Sequence, residues 1–152
     1  MRAQWFNRMC FIGLLLVAVQ GLAEAPQQQK GQPMHFLSIT FDTGVLTAEL
    51  DDSAASRDFL ALLPLTLELD DHAATEKVAD LPARLSTAEA PAGFDPSVGD
   101  ITYYAPWGNL AIFYKDFGYA RGLVPLGRIT GGLELLNFHG KKTVTIEQVS
   151  SR

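Results

Sequence analysis

The residues able to do chemistry in this chain are few, and most stand where a structural use is the simpler reading. His35, His72 and His139 are the only histidines and Cys10 the only cysteine. None lies at metal-ligand spacing from another, so neither a metal centre nor a cofactor is expected. Asp51-Asp52 and Asp70-Asp71 are paired carboxylates, the residue type for general acid-base work. Each pair sits where a helix cap or a turn is expected, and that use is preferred. Ser53, Ser56 and Ser86 lack a Gly-x-Ser-x-Gly setting, so no hydrolase triad follows. Gly131-Gly132 is an isolated pair that supplies turn geometry rather than a phosphate cradle. No catalytic residue is assigned.

What remains is aromatic. Tyr103, Trp107, Phe113, Tyr114, Phe117 and Tyr119 fall within seventeen residues. Tyr and Trp offer flat apolar bodies with a polar tip, a surface suited to small molecules and peptides. Strand alternation must divide them: Tyr103 shares a face with Ile101, Tyr104 points the other way with Thr102, and Phe113 opposes Ile112 and Tyr114. Tyr103 and Tyr104 therefore cannot both be core. The expected ligand groove uses Tyr104, Trp107, Phe113 and Tyr119, with Arg84 or Arg121 at its rim. Arg128 lies in a strand among apolar neighbours and is read as structural.

The elements that must position these residues are mostly strands. Ile101–Ala105 and Leu110–Tyr114 flank Pro106-Trp107-Gly108-Asn109, a hairpin in which proline presets one turn dihedral and glycine permits a positive one. Upstream, Leu37, Ile39 and Phe41 alternate, Asp42-Thr43-Gly44 turns, and Leu46, Ala48 and Leu50 alternate again, giving a first hairpin. Asp51, Asp52 and Ser53 offer cap oxygens to a helix whose stripe is Ala55, Phe59, Leu62 and Leu63, and Pro64 ends it. Leu65, Leu67 and Leu69 make a third strand, ending at Asp70-Asp71.

His72–Ala79 is ambiguous, Leu81–Leu85 fits one helical turn with Pro82 near its start, and Ser86–Val98 reads as a surface loop. Tyr119–Gly122 is a turn, Leu123–Ile129 a strand, Leu133–Asn137 a short turn or helix, and Lys142–Val149 the last strand. About seven strands and one clear helix imply a mostly antiparallel barrel with a helix over one end.

Length and charge bound the rest. With 152 residues the chain has room for one domain with a true core. Arg2 and Arg8 precede an uncharged apolar run, Met9–Val19, followed by the small residues Gly21 and Ala23. That is the layout of a signal peptide over residues 1–23, cut after Ala23, since cutting after Ala25 places Pro26 just past the bond. The run is too short for a membrane span. Cys10 leaves with it, and so do two arginines, taking the formal charge from -5 to -7. Residues 24–33, rich in Gln and Pro, form a flexible leader, and residues 34–152 the domain. The expected compartment is the periplasm or the exterior, with no stable membrane insertion after cleavage. An acidic chain whose longest basic run is Lys141-Lys142 is not expected to bind nucleic acid. The oligomeric state is left open.

The order of elements adds a resemblance. Leu46–Leu62 resembles the second strand and first helix of cyclophilins; Leu126–Leu136 resembles their strand, glycine turn and short helix; and Lys142–Ile146 resembles their last strand. Leu62–Leu67, Glu76-Lys77, Leu81-Pro82, Gly99–Tyr104, Trp107-Gly108-Asn109, Ile112–Tyr114 and Leu126–Ile129 are similar, in that order, to a bacterial group of small cyclophilin-like proteins of no established role. The likeness covers about residues 35–149 and implies a closed, eight-stranded antiparallel barrel with one or two capping helices.

It does not carry prolyl isomerase activity across. The isomerases place an arginine, within a Phe-His-Arg motif, soon after the first helix, where it hydrogen-bonds the proline nitrogen as the amide loses resonance. Pro64–Pro82 contains no arginine. The expected function is an exported cyclophilin-like domain that binds a small molecule or peptide in an aromatic-lined groove. The alternatives are a peptidyl-prolyl isomerase with non-standard catalytic residues and an envelope interaction module.

Overall fold

The computed structural model describes residues 34–150; the expected signal peptide and leader lie outside the described residues. Within them, period-two patterning becomes eight antiparallel strands that close on themselves. In chain order the elements are β1 (His35–Phe41), β2 (Gly44–Leu50), α1 (Ala54–Ala61), β3 (Leu65–His72), β4 (Glu76–Asp80), β5 (Gly93–Phe94), β6 (Asp100–Tyr104), β7 (Asn109–Phe113), β8 (Ala120–Arg121), β9 (Leu123–Gly131) and β10 (Lys142–Val149), with a single 3-10 turn, Leu133–Leu136, before β10. Around the barrel the order is β1-β10-β3-β4-β7-β6-β9-β2, and β2 returns to β1. The short strands β5 and β8 pair separately.

The barrel interior is filled from every wall. Leu37, Ile39 and Phe41 come from β1, Leu46, Ala48 and Leu50 from β2, Leu67 and Leu69 from β3, Ala79 from β4, Ile101 and Tyr103 from β6, Leu110 and Ile112 from β7, Leu126 from β9, and Val144 and Ile146 from β10. These are the alternate residues that the sequence pattern puts on one face. Helix α1 closes one end. Ser53 is its N-cap, its hydroxyl accepting from the Ser56 N–H at 3.0 Å, while the Ser56 hydroxyl donates to the Leu126 carbonyl of β9 at 3.2 Å. Ala55 and Phe59 enter the core; Leu62 and Leu63 pack against it half-buried, just past the helix end.

Three expectations are corrected. Asp70-Asp71 is not a turn: β3 runs on to His72 and pairs with β4 as Asp70 opposite Val78, Asp71 opposite Lys77 and His72 opposite Glu76. The ambiguous stretch is therefore a hairpin, turning through Ala73 and Ala74 with positive φ. Leu81–Leu85 is not helical, because its backbone donors are taken by a neighbour. Leu81 N–H reaches the Gly108 carbonyl at 3.3 Å and Leu85 N–H the Tyr103 hydroxyl at 3.3 Å. The Ser86–Val98 loop and the Tyr119–Gly122 turn each contain a two-residue strand, Gly93–Phe94 and Ala120–Arg121, that pairs with the other. The expected short turn or helix at Leu133–Asn137 is a 3-10 turn, Leu133–Leu136, set between Gly132 and Gly140, both with positive φ, and α1 is the one capping helix.

Barrel closure between β2 and β9 depends on a residue without a side chain. A Cβ on Gly127 would lie 2.7 Å from Leu50 Cα and press on the Glu49 carbonyl; both are backbone, so neither can swing away. Gly127→Ala is expected to lower unfolding free energy by about 3 kcal/mol in urea denaturation. Gly118→Ala, where a Cβ meets nothing, is expected to change it little.

Candidate functional site

Strand β7 is buried along its whole length, although its side chains alternate between two sides. Leu110 and Ile112 belong to the barrel core. Asn109, Ala111 and Phe113 face outward, where Ala111, Phe113 and Leu123 form a second apolar cluster with Val78, Phe94, Tyr104 and Ala120. Cross-strand registry builds this outer wall in rows: His72, Glu76 and Phe113 in one; Val78, Ala111 and Thr102 in the next; and Asp80, Asn109, Tyr104 and Leu123 in the third.

The loops on either side of β6 and β7 fold over this wall, held by the β5–β8 pair and by backbone bonds from Gly122 N–H to the Ala92 carbonyl (2.9 Å) and from Phe117 N–H to the Pro96 carbonyl (3.2 Å). Their cover is incomplete. A groove of about 190 Å³ stays open, lined by His72, Glu76, Val78, Tyr104, Trp107, Asn109, Ala111, Phe113, Phe117, Ala120 and Leu123.

Trp107 forms the lip of the groove, 63 % exposed. Its ring stands nearly perpendicular to those of Tyr104 (centroids 5.4 Å apart) and His72 (5.6 Å). Phe117 leans on Phe113 at 6.1 Å. At the groove wall sits Asn109, only 4 % exposed. Its Nδ2 donates to the Leu110 carbonyl at 3.2 Å, and its Oδ1 is buried without a hydrogen-bond partner among the described residues. Leaving such an acceptor unmatched costs about 1–3 kcal/mol.

Of the expected site residues, the structure brings together Tyr104, Trp107 and Phe113. Tyr103 is core and Tyr104 is half-buried on the outer face, as alternation requires. Tyr119, Arg84 and Arg121 are not part of the lining. The Tyr119 ring lies across Gly93, where a Cβ would collide with it. Arg84 donates from Nη1 to the Ala105 carbonyl at 2.7 Å, bracing the β6–β7 turn from the side. Arg121 pairs with Gly93 in the small sheet and is exposed. His72, Glu76 and Asn109 were not expected. Asn109 was legible, since it shares the face of Phe113 by period two. His72 and Glu76 arrive through pairing of distant strands, which no local pattern marks. Among the described residues, no group of three or more His, Cys, Asp or Glu is placed to hold a metal ion.

The chain thus folds as a closed eight-stranded antiparallel barrel capped by one helix. The model of the Cyclophilin-like family matches residues 39–147, and the chain belongs to that family. A solution structure of a hypothetical protein from Archaeoglobus fulgidus is similar at TM-score 0.58 and 16% identity, covering 80% of this chain and 99% of the other. That likeness shows the fold alone. No curated protein matches.

Directly behind the groove wall, on the inner face of β4, lies a buried charge. Lys77 is 1 % exposed, and its ammonium donates to Asp71 Oδ1 and to the Phe138 carbonyl, both at 2.6 Å. It lies 4.0 Å from the Phe138 ring centroid and 4.8 Å from that of Tyr114. The Tyr114 hydroxyl donates to the same carboxylate oxygen at 2.7 Å. Hydrogen bonds from Lys77 and Tyr114 hold the Asp71 carboxyl below its ordinary 3.8. Burial first, and then the bond to Asp71, pushes the Tyr114 hydroxyl up to about 12.

Truncating Asp71 leaves an uncompensated buried ammonium, so Asp71→Ala is expected to cost about 3–5 kcal/mol in urea denaturation. The pH profile follows from the two shifts. Stability from Asp71 is present above pH 3.8 and falls as acid titrates the lowered carboxyl. Stability from Tyr114 is complete below pH 10.0 and is lost as pH rises toward about 12. Tyr114→Phe is expected to remove that alkaline loss from the measured profile.

Proposed function

We propose that the protein is an exported cyclophilin-like domain that binds a small molecule or a short peptide in the outer-wall groove. The observation that carries this reading is the open, largely apolar depression of about 190 Å³, edged by Trp107 and Tyr104 and with His72, Glu76 and Asn109 in its lining. An apolar concavity with a few placed polar groups is the general form of a ligand site. Trp107 and Tyr104 supply its aromatic side, and Phe113, fixed by burial on β7, supplies its base.

Prolyl isomerisation is not the reading favoured, because the lining contains no arginine to hydrogen-bond a proline nitrogen. A protease-coupled assay on a proline-containing peptide is expected to give only the uncatalysed rate.

Thermal-shift screening against metabolites and proline-containing peptides tests the groove directly. A ligand at a hundred times its Kd is expected to stabilise the folded state by about 2.7 kcal/mol and to raise Tm accordingly. Trp107→Ala is expected to weaken that ligand by about 2 kcal/mol while the unliganded Tm stays close to native. A library without any stabilising compound, or a ligand indifferent to Trp107, counts against the groove. Export is checked by N-terminal sequencing of the mature protein, expected to begin at Glu24; retention of Met1 overturns it.

A further inference from the structure

The polar groups of the groove are unbalanced. Glu76 contributes a carboxylate, Asn109 contributes a buried amide oxygen with no donor, and none of the lining residues is a lysine or an arginine. His72 is the single lining group with a basic nitrogen. Around these acceptors stand the rings of Tyr104, Trp107, Phe113 and Phe117, with Trp107 set nearly at right angles to Tyr104. A carboxylate bordered by aromatic rings, with no lysine or arginine among the lining residues, makes an environment for a cation bearing N–H groups.

The same chain already holds such a cation in such a setting. The Lys77 ammonium is bound by one carboxylate (Asp71), one carbonyl oxygen (Phe138) and two aromatic rings (Phe138 and Tyr114). Glu76 and Lys77 are consecutive residues of β4 on opposite sides of the sheet. The inner side has its ammonium. Among the described residues, the outer side presents a carboxylate and aromatic rings with no lysine or arginine in the lining.

Resting on the groove reading above, we propose that the groove selects its ligand through a protonated primary amine carried on a short alkyl chain. The ammonium sits beside the Glu76 carboxylate and the aromatic rings, and the chain lies along Val78, Ala111 and Leu123. A volume of about 190 Å³ is that of about six waters, which suits an alkylammonium of a few carbons or the end of a lysine side chain. The Glu76 carboxylate accepts from the Thr75 hydroxyl, which steadies it, and retains lone pairs for an ammonium.

The test is titration calorimetry of the protein with butylammonium chloride and with 1-butanol, its neutral counterpart of similar shape, at neutral pH and low salt. Butylammonium is expected to bind about tenfold more tightly, a preference that shrinks as ionic strength rises and falls toward one in Glu76→Gln. Glutamine keeps an oxygen for the Thr75 hydroxyl, so the substitution removes charge with little else. If that variant does not fold, the salt dependence measured on the native protein decides.

Equal affinity for both probes, or a preference indifferent to salt and to Glu76→Gln, overturns the amine proposal and leaves the groove standing. Failure of both probes while another compound stabilises the protein through Trp107 overturns it as well. Failure of both probes and of the whole thermal-shift library removes the groove reading itself. Nα-acetyl-lysine amide against Nα-acetyl-norleucine amide separates the sources. Tighter binding of the lysine compound than of butylammonium assigns the site to a lysine-bearing peptide, and weaker binding to a free amine.

Discussion

The structure depends on burying both sides of one strand. Asn109–Phe113 has its five residues covered, yet only Leu110 and Ile112 can be covered by the barrel itself. The other three need a second layer outside the wall. The loops around residues 86–98 and 114–122 supply it, and the small β5–β8 pair keeps them in place by satisfying backbone groups that would otherwise be left unpaired beneath a loop. A roof made from two loops does not close over every outer residue. The groove is the part of the second layer that is missing, and its apolar character follows from the strand it exposes.

The same wall separates two electrostatic situations. Inside, Lys77 satisfies each of its strong demands at once, through a carboxylate, a carbonyl and two rings, and the arrangement lowers the Asp71 carboxyl while raising the Tyr114 hydroxyl. Burying an ammonium this deeply is tolerable only with that full set of partners. Outside, Glu76 presents a carboxylate to the groove, and among the described residues no lysine or arginine lines it. Alternation along one short strand is enough to place the Lys77 ammonium on one side and the Glu76 carboxylate on the other.

Much of the fold was legible because each strand is half of a local pattern. The β1–β2 hairpin, the capped helix ended by Pro64, the β6–β7 hairpin and β10 all repeat their apolar residues at the period of their structure. Legibility failed where partners are distant. Asp70 and Asp71 look like turn residues, and they extend β3 because Val78 and Lys77 hydrogen-bond beside them. Leu81–Leu85 has a helical composition, and its donors go to Gly108 and Tyr103 instead. The two-residue strands exist only as a pair, so neither carries a signal alone.

The sequence by itself determined the barrel, the helix at its end, and the division of Tyr103 from Tyr104, since a pleated strand forces neighbouring side chains to opposite sides. It also determined that Tyr104 and Trp107 would be near one another, because the turn of a hairpin follows directly on its strand. Only the tertiary structure decided which side of that hairpin lies open and what stands beside it. His72 and Glu76 reach the groove through the pairing of β4 with β7, while Arg84, Arg121 and Tyr119, close in sequence to it, are drawn into bracing the turn and the loop roof. Whether the Asn109 amide finds a partner depends on registry among three strands, a property no local stretch of the chain contains.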